Sequence, residues 1–358
     1  MAIHSENLEE IRHAMQQKLG KLIPDVEIRY KSELVQKINV LKREQNAVIL
    51  GHNYMEPALF HTVPDYVGDS LELSRKAAQA QNEIIIFCGV RFMAETAKIL
   101  NPDRMVLLPA KRAGCSLAES ITAADVRELK KRFPGVPVVT YINTYADVKA
   151  ESDICCTSGN AARVVRSLAS DTIIFLPDEY LARNVAQETG KKIITAQRNT
   201  LQSLGNLGRS PDGSSTGTDA EMVAWNGRCE VHEQFSVDDI VRIRKQFPGT
   251  AVLAHPECSP EVVAASDFSA STSKMIEFVQ QTSAAHILIL TECSMADNII
   301  ADNPDKDILR MCSIRCPHMN EITLEDTLRA LEEHEQQISV PLEIASRARQ
   351  ALERMLVV

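Results

Sequence analysis

The chain reads as an α/β protein built from three similar small α/β units with parallel sheets arranged around one central site. Two observations predict this. From residue 47 onward, short β-rich runs alternate with helical segments, the pattern of βαβ units and parallel sheets. Three cysteines far apart in the chain, Cys115, Cys229 and Cys316, each follow a set of such runs and stand in short turns rich in Gly, Pro or Ser. In α/β sheets such turns gather at the carboxyl edge, where ligands bind, so the three thiols are expected to converge. The length agrees: 358 residues exceed what a single growing core serves, and two or more compact units are expected.

Taken in order, residues 1–46 form a helical segment. Within it, 6–46 alternates charge with Ile, Leu and Val at helical spacing, which predicts one or two amphipathic helices. The first α/β unit, 47–118, has strands at Ala47–Leu50, Ile84–Cys88 and Met105–Leu108. The second, 119–229, has strands at Val136–Tyr141, Thr172–Leu176 and Lys192–Thr195, then a stretch rich in Asn, Ser, Gly and Thr at 196–218 that reads as an exposed polar insertion. The third, 230–316, has strands at Thr250–Ala254, His286–Thr291 and in the stretch reaching Cys316. Residues 317–358 return to amphipathic helices, expected to pack back on the first unit. The units share a pattern of elements, but no repetition of residues is read between them.

Bulk properties exclude several classes. A net charge of −9, without a basic tract interleaved with aromatics, gives nucleic acid nothing to hold. Apolar runs such as Ile84 to Val90 are too short to cross a bilayer, and the acidic start Met1-Ala2-Ile3-His4-Ser5-Glu6 lacks the apolar core of a signal peptide. A soluble, cytoplasmic protein is expected. There, nine cysteines, an odd number, are expected to be mostly reduced thiols available for metal or catalysis rather than a disulfide framework.

Polar residues recur just past the apolar strands, where they face the crevice outside the sheet. His52-Asn53-Tyr54 follows the first strand, Tyr141-Ile142-Asn143 ends the next set, His255-Pro256-Glu257 follows a third, and Thr291-Glu292 a fourth. A lone His or Tyr there is more often a hydrogen-bonded packing residue; repetition at equivalent places shifts the balance towards a site. Glu257 and His232 are candidates for proton transfer. Helix starts at Ser70, at Thr157-Ser158-Gly159-Asn160 and at Ser271-Thr272-Ser273 offer hydroxyls and free N–H groups suited to phosphate or carboxylate, against the simpler reading of N-caps.

Among the cysteines, Cys88 inside an apolar run reads as core, and adjacent Cys155 and Cys156 would point to opposite faces of a strand. Cys115 enters a helix, a position that favours the thiolate. Three thiols held by one site would leave one iron of a [4Fe–4S] cubane open, a Lewis acid for substrate. Cys312 makes a C-x3-C pair with Cys316 and by spacing alone competes as a ligand. Zinc, which usually shows tighter paired spacing, is the second choice.

The motifs Gly51-His52-Asn53-Tyr54, Gly68-Asp69-Ser70, FCGVRFMAET from Phe87 to Thr96, Gly114-Cys115-Ser116, Tyr141-Ile142-Asn143, Thr157-Ser158-Gly159-Asn160, Cys229-Glu230-Val231-His232, His255-Pro256-Glu257 and Cys316-Pro317-His318-Met319 together resemble the quinolinate synthase family, from about Ala47 to Thr327. The resemblance implies three α/β units around a [4Fe–4S] cluster held by Cys115, Cys229 and Cys316. It implies condensation of iminoaspartate with dihydroxyacetone phosphate to quinolinate, with loss of phosphate and water, in NAD biosynthesis. Tyr54, Tyr141, Glu257 and His232 would be catalytic. His52, Ser70, Asn143, Ser158, His255 and Thr272 would bind substrate. The expected partners are these small molecules, with an aspartate-oxidising enzyme as a functional link and a homo-oligomer as an assembly. Competing readings are another iron–sulfur hydro-lyase, an iron or redox sensor, and a structural zinc protein.

Overall fold

Three parallel sheets carry the molecule; the first and third share one strand order, and the second shares its first three positions and adds a fifth strand at the far edge. The computed structural model describes residues 3–191, 193–196, 222–225 and 227–358. The first sheet is ordered β2-β1-β3-β4, with β1 Ala47–His52, β2 Tyr66–Gly68, β3 Ile84–Cys88 and β4 Met105–Leu107. The second is ordered β6-β5-β7-β9-β8, with β5 Val138–Tyr141, β6 Ile154–Cys156, β7 Ile173–Leu176, β8 Ile193–Ala196 and β9 Met222–Trp225. The third is ordered β11-β10-β12-β13, with β10 Ala251–Ala254, β11 Phe268–Ser269, β12 His286–Leu290 and β13 Asp307–Arg310. All of the pairings are parallel. The predicted α/β class with parallel sheets is therefore correct. All but the first residue of the polar insertion read at 196–218 lies outside the described residues.

In each sheet the chain moves outward from its first strand to a short edge strand and then crosses to the other side. The crevice at the carboxyl end of β1, β5 and β10 is thus a topological switch point, where ligands of open α/β sheets bind. The edge strands β2, β6 and β11 are two or three residues long and escape a reading based on β-rich runs.

The units do repeat at the level of residues, contrary to the reading above. The residue before each edge strand is an aspartate whose Oδ2 accepts from a backbone N–H of the first strand: Asp65 from Ile49 at 2.8 Å, Asp153 from Val138 at 2.7 Å and Asp267 from Val252 at 2.8 Å. Each aspartate N–H donates back to the carbonyl of the same strand residue. A capping box opens the helix before β5 (Thr122 with Asp125) and the helix before β10 (Ser236 with Asp239). Both helices end in Phe-Pro-Gly, at 133–135 and 247–249, and both glycines sit at φ +81°, a left-handed turn that favours Gly. Before β1 the same turn is made by Asn46 at φ +48°.

Side chains of the second and third sheets alternate between two cores. Val139, Ile173 and Phe175 face the central core while Val138, Ile174 and Leu176 face an outer one. Leu253, Ile287 and Ile289 face the centre while Val252, Leu288 and Leu290 face outward. Burial on both faces is why these strands are written as unbroken apolar runs. The N-terminal segment forms two helices, Leu8–Leu19 and Asp25–Glu44. Helix Leu324–Glu333 packs on Asp25–Glu44 and β3, whereas Leu342–Val357 lies across helix Ala146–Ala150 and β6 of the second sheet as well as helix Arg91–Leu100.

Candidate metal centre and active site

The carboxyl ends of the three sheets line one cleft, and each sheet contributes to it in the same way. The first strands deliver His52 and Tyr54, then Tyr141 and Asn143, then His255 and Glu257. The edge strands lead to Ser70, to Ser158 and to Thr272. The fourth strands in sheet order, β4, β9 and β13, lead to Cys115, Cys229 and Cys316. With His232, all thirteen residues singled out in the sequence line this cleft.

Glu257 stands at the centre of a polar network and is almost fully buried. Its Oε2 lies 2.6 Å from Nδ1 of His232 and 3.6 Å from Nδ1 of His255, and its Oε1 accepts from Nδ2 of Asn143 at 3.4 Å. The His232 contact is an ion-pair approach rather than a well-aligned hydrogen bond. Burial alone would raise the Glu257 carboxyl, but the close approach of His232, with His255 and the Tyr141 hydroxyl, holds it down at about 2. It is a carboxylate at neutral pH. Burial pushes His52 down to about 4 and His255 to about 3, so both rings are neutral there. Burial also lifts Tyr54 and Tyr141 well above the usual phenol range, which keeps them as O–H donors.

From Glu257 the network runs through His232 to Thr291, whose Oγ1 lies 2.8 Å from His232 Nε2 and 2.6 Å from the Tyr54 hydroxyl. Carboxylate, imidazole, hydroxyl and phenol form one connected path. His232 and His255 stack with centroids 4.5 Å apart, which fixes both rings. Thr291 comes directly after β12, as His255 comes directly after β10, and its strand-end place is the signal by which the sequence names it. The first strand stops at His52 instead of running on to Tyr54. Asn53 N–H bonds to Gly68 and the chain turns, and Tyr54 is held by its own N–H donating to His52 Nδ1 at 3.2 Å.

The helix starts differ. At Ser70 the preceding Asp69 closes a capping box and takes the N–H groups of Leu71 and Glu72, so the N-cap reading suffices there. Helix Thr272–Gln281 has no side-chain cap, and Nδ2 of Asn53 donates to Thr272 Oγ1 at 2.9 Å across the sheets. Free N–H groups at that end suit an anion.

The three cleft cysteines are half-buried, and burial raises all of their thiols, Cys316 to about 12. Cys115 does stand at the start of a helix, the short Ser116–Ser120, and the N–H groups of Ala118 and Leu117 act to lower its thiol, although burial outweighs them. Cys229 is raised further by Glu257 and by the other two thiols. Soft thiols that oppose one another's ionisation give up their protons to a metal rather than to water, so the donor set fits a thiolate-bound iron centre. Sγ of Cys229, a His232 nitrogen and a Glu257 oxygen also lie within 4.8 Å of one another, a set that a single ion would fit. Cys312 is exposed, does not line the cleft, and accepts from Nε of Arg310 at 3.2 Å.

A family model described as "Quinolinate synthetase A protein" matches residues 36–357. The chain belongs to the quinolinate synthetase A family. Relatives from that family include quinolinate synthase 1 of Mesorhizobium japonicum, 50% identical over 95% of this chain and 96% of the relative. Quinolinate synthase of Agrobacterium fabrum is 49% identical over 95% of this chain and 90% of its own length. That of Xylella fastidiosa is 48% identical over 90% and 87%. The family match spans all three sheets and the whole cleft. No helix among the described residues is long and apolar enough to cross a membrane.

Proposed function

We propose that this chain is a cytoplasmic quinolinate synthase of NAD biosynthesis, condensing iminoaspartate with dihydroxyacetone phosphate to quinolinate with release of phosphate and water. The observation that carries the reading is the meeting of Cys115, Cys229 and Cys316, from equivalent places in three sheets, beside the Glu257 network. These cysteines would hold a [4Fe–4S] cluster with one iron free of protein. Bound there, the cluster supplies a Lewis acid that neutralises charge on a leaving or carbonyl oxygen.

The side chains supply the rest. Glu257, ionised at neutral pH, is the base within reach of a substrate C–H or N–H, and His232 with Thr291 and Tyr54 carries the proton away along the network. Tyr54 and Tyr141, locked in the protonated form, donate to developing negative charge, and Asn143 orients substrate beside Glu257. His52 and His255 bind as neutral rings. The hydroxyls of Ser70, Ser158 and Thr272, with the uncapped helix start at Thr272, receive phosphate or carboxylate. An aspartate-oxidising enzyme would supply iminoaspartate, and the functional form would be a homo-oligomer.

The test is iron and sulfide analysis with Mössbauer spectra on protein purified without oxygen, before and after a dicarboxylate analogue, together with assay on the two named substrates. The reading expects about four irons per chain, one of them shifting with the analogue. It also expects Cys115→Ser, Cys229→Ser and Cys316→Ser to abolish the cluster and Cys312→Ser to keep it. Zinc in place of iron would support a single ion on Cys229, His232 and Glu257, and quinolinate formation by cluster-free protein would overturn the mechanism.

A further inference from the structure

Lys149 is fully buried, in the short helix Ala146–Ala150 that follows the Tyr141–Asn143 turn. Its ammonium donates to the carbonyl of Thr144, and its Nζ lies 5.5 Å from the centroid of the Phe92 ring. No carboxylate among the described residues pairs with it. Glu95, the nearby acid, is already engaged by Nε of Arg91 at 2.8 Å and by the N–H of Ala146 at 2.8 Å, and Oδ1 of Asp147 accepts from the N–H of Val148 at 2.9 Å. A buried ammonium with one carbonyl and one ring face for company is an uncompensated charge, which proteins keep only where something answers it.

What answers it lies on the other side of Phe92. That ring forms part of the cleft wall together with Cys115, and burial, which lowers the pKa of Lys149, is opposed first by Cys155, then by Glu95 and Asp147, and then by Cys115. A cubane held by three thiolates is an anion, and the potential of such a cluster follows the charge fixed around it.

We propose that Lys149 is the built-in counter-charge of the metal centre, a positioning residue that raises the reduction potential of the cluster through the Phe92 wall without touching substrate. The proposal rests on the cluster reading above. It explains why a lysine is placed out of solvent with no carboxylate ion pair of its own among the described residues.

The experiment compares Lys149→Met, Lys149→Gln and Lys149→Arg with the unaltered protein, each loaded with its cluster. Midpoint potential is measured by spectroelectrochemistry, and thermal unfolding is followed on the cluster-free forms. Lys149→Met and Lys149→Gln should lower the potential, because the extra negative charge of the reduced cluster loses its partner, whereas Lys149→Arg should stay near the unaltered value. Cluster-free Lys149→Met should melt no lower than the unaltered protein, since it has lost an unpaired buried charge. The glutamine variant retains a donor for the Thr144 carbonyl, so it reports on charge even where the methionine variant folds poorly. A full cluster with an unchanged potential in the glutamine variant would overturn the proposal and leave Lys149 a structural hydrogen-bond donor. Absence of any iron–sulfur cluster in the unaltered protein would instead sink the reading on which it rests.

Discussion

Thr291 has the least conspicuous chemistry of the cleft residues and the most to hold together. Its single hydroxyl oxygen meets both His232 Nε2 and the Tyr54 hydroxyl, and all three groups are shut away from water. Thr291→Val keeps the shape and removes the oxygen, leaving the Tyr54 hydroxyl and His232 Nε2 with only their own long contact of 3.4 Å. Buried polar groups left so poorly paired cost about 1–3 kcal/mol, so the unfolding free energy from urea titration should fall by that amount and kcat by roughly tenfold to a hundredfold, with KM little changed. An unaltered kcat would remove Thr291 from the proton path. At this scale the sequence was legible wherever chemistry follows a strand, because strand ends aim side chains into the crevice by topology alone. His52, Tyr141 and Glu257 were visible for that reason. Lys149 was not: in the run Ala146-Asp147-Val148-Lys149-Ala150 a lysine reads as a solvated face, and its burial depends on helix Leu342–Val357 arriving nearly two hundred residues later to cover that helix.

Elements fix the distances between the three cysteines, and the least forgiving is the turn after β9. The N–H of Gly227 donates to the carbonyl of Pro177 at 3.0 Å, and its own carbonyl accepts from Glu179 at 2.8 Å, so the segment leading to Cys229 is stitched to the end of β7. A Cβ at Gly227 would stand 2.8 Å from the Pro177 oxygen and 2.8 Å from Oγ of Ser120. Backbone cannot yield there as a flexible side chain would. Gly227→Ala should therefore cost about 1–3 kcal/mol and pull Cys229 out of register with Cys115 and Cys316. Iron per chain after anaerobic reconstitution, with a urea titration beside it, gives the check; full iron and an unshifted midpoint would mean the turn is looser than its contacts. Most strands of four or more apolar residues were readable before the structure, but β9 at Met222–Trp225, just after the polar insertion, was missed. The edge strands were too short for periodicity to register. The repeat was legible in principle, through Phe133-Pro134-Gly135 and Phe247-Pro248-Gly249 and through the aspartates at 65, 153 and 267. It was overlooked because the matching residues sit in turns and edge positions, not in the strands being compared.

Two buried histidines of the cleft, and His61 outside it, set the response of the whole molecule to acid. Burial lowers His52 to about 4, His61 to about 4 and His255 to about 3, all from an ordinary value of 6.5. Between about pH 6.5 and 4 the unfolded chain therefore binds protons on these rings that the folded chain refuses, and stability must fall as pH falls. Each ring contributes about 1.4 kcal/mol per pH unit. Glu292 works against them. Burial raises it to about 7 from 4.5, so the folded state holds a proton that the unfolded state releases, and stability from this group is lost as pH rises through 7. Three histidines less one glutamate leave a net loss on the order of 3 kcal/mol for each unit below about pH 6.5. Glu257, lowered to about 2, adds to the loss once pH passes below 4.5. Urea unfolding of cluster-free protein between pH 7 and 5 should thus show a midpoint falling steeply with acid, well before ordinary surface carboxylates titrate. A flat profile down to pH 4.5 would mean that the three rings become charged in the folded state at little cost, and that the cleft is wetter than its burial implies.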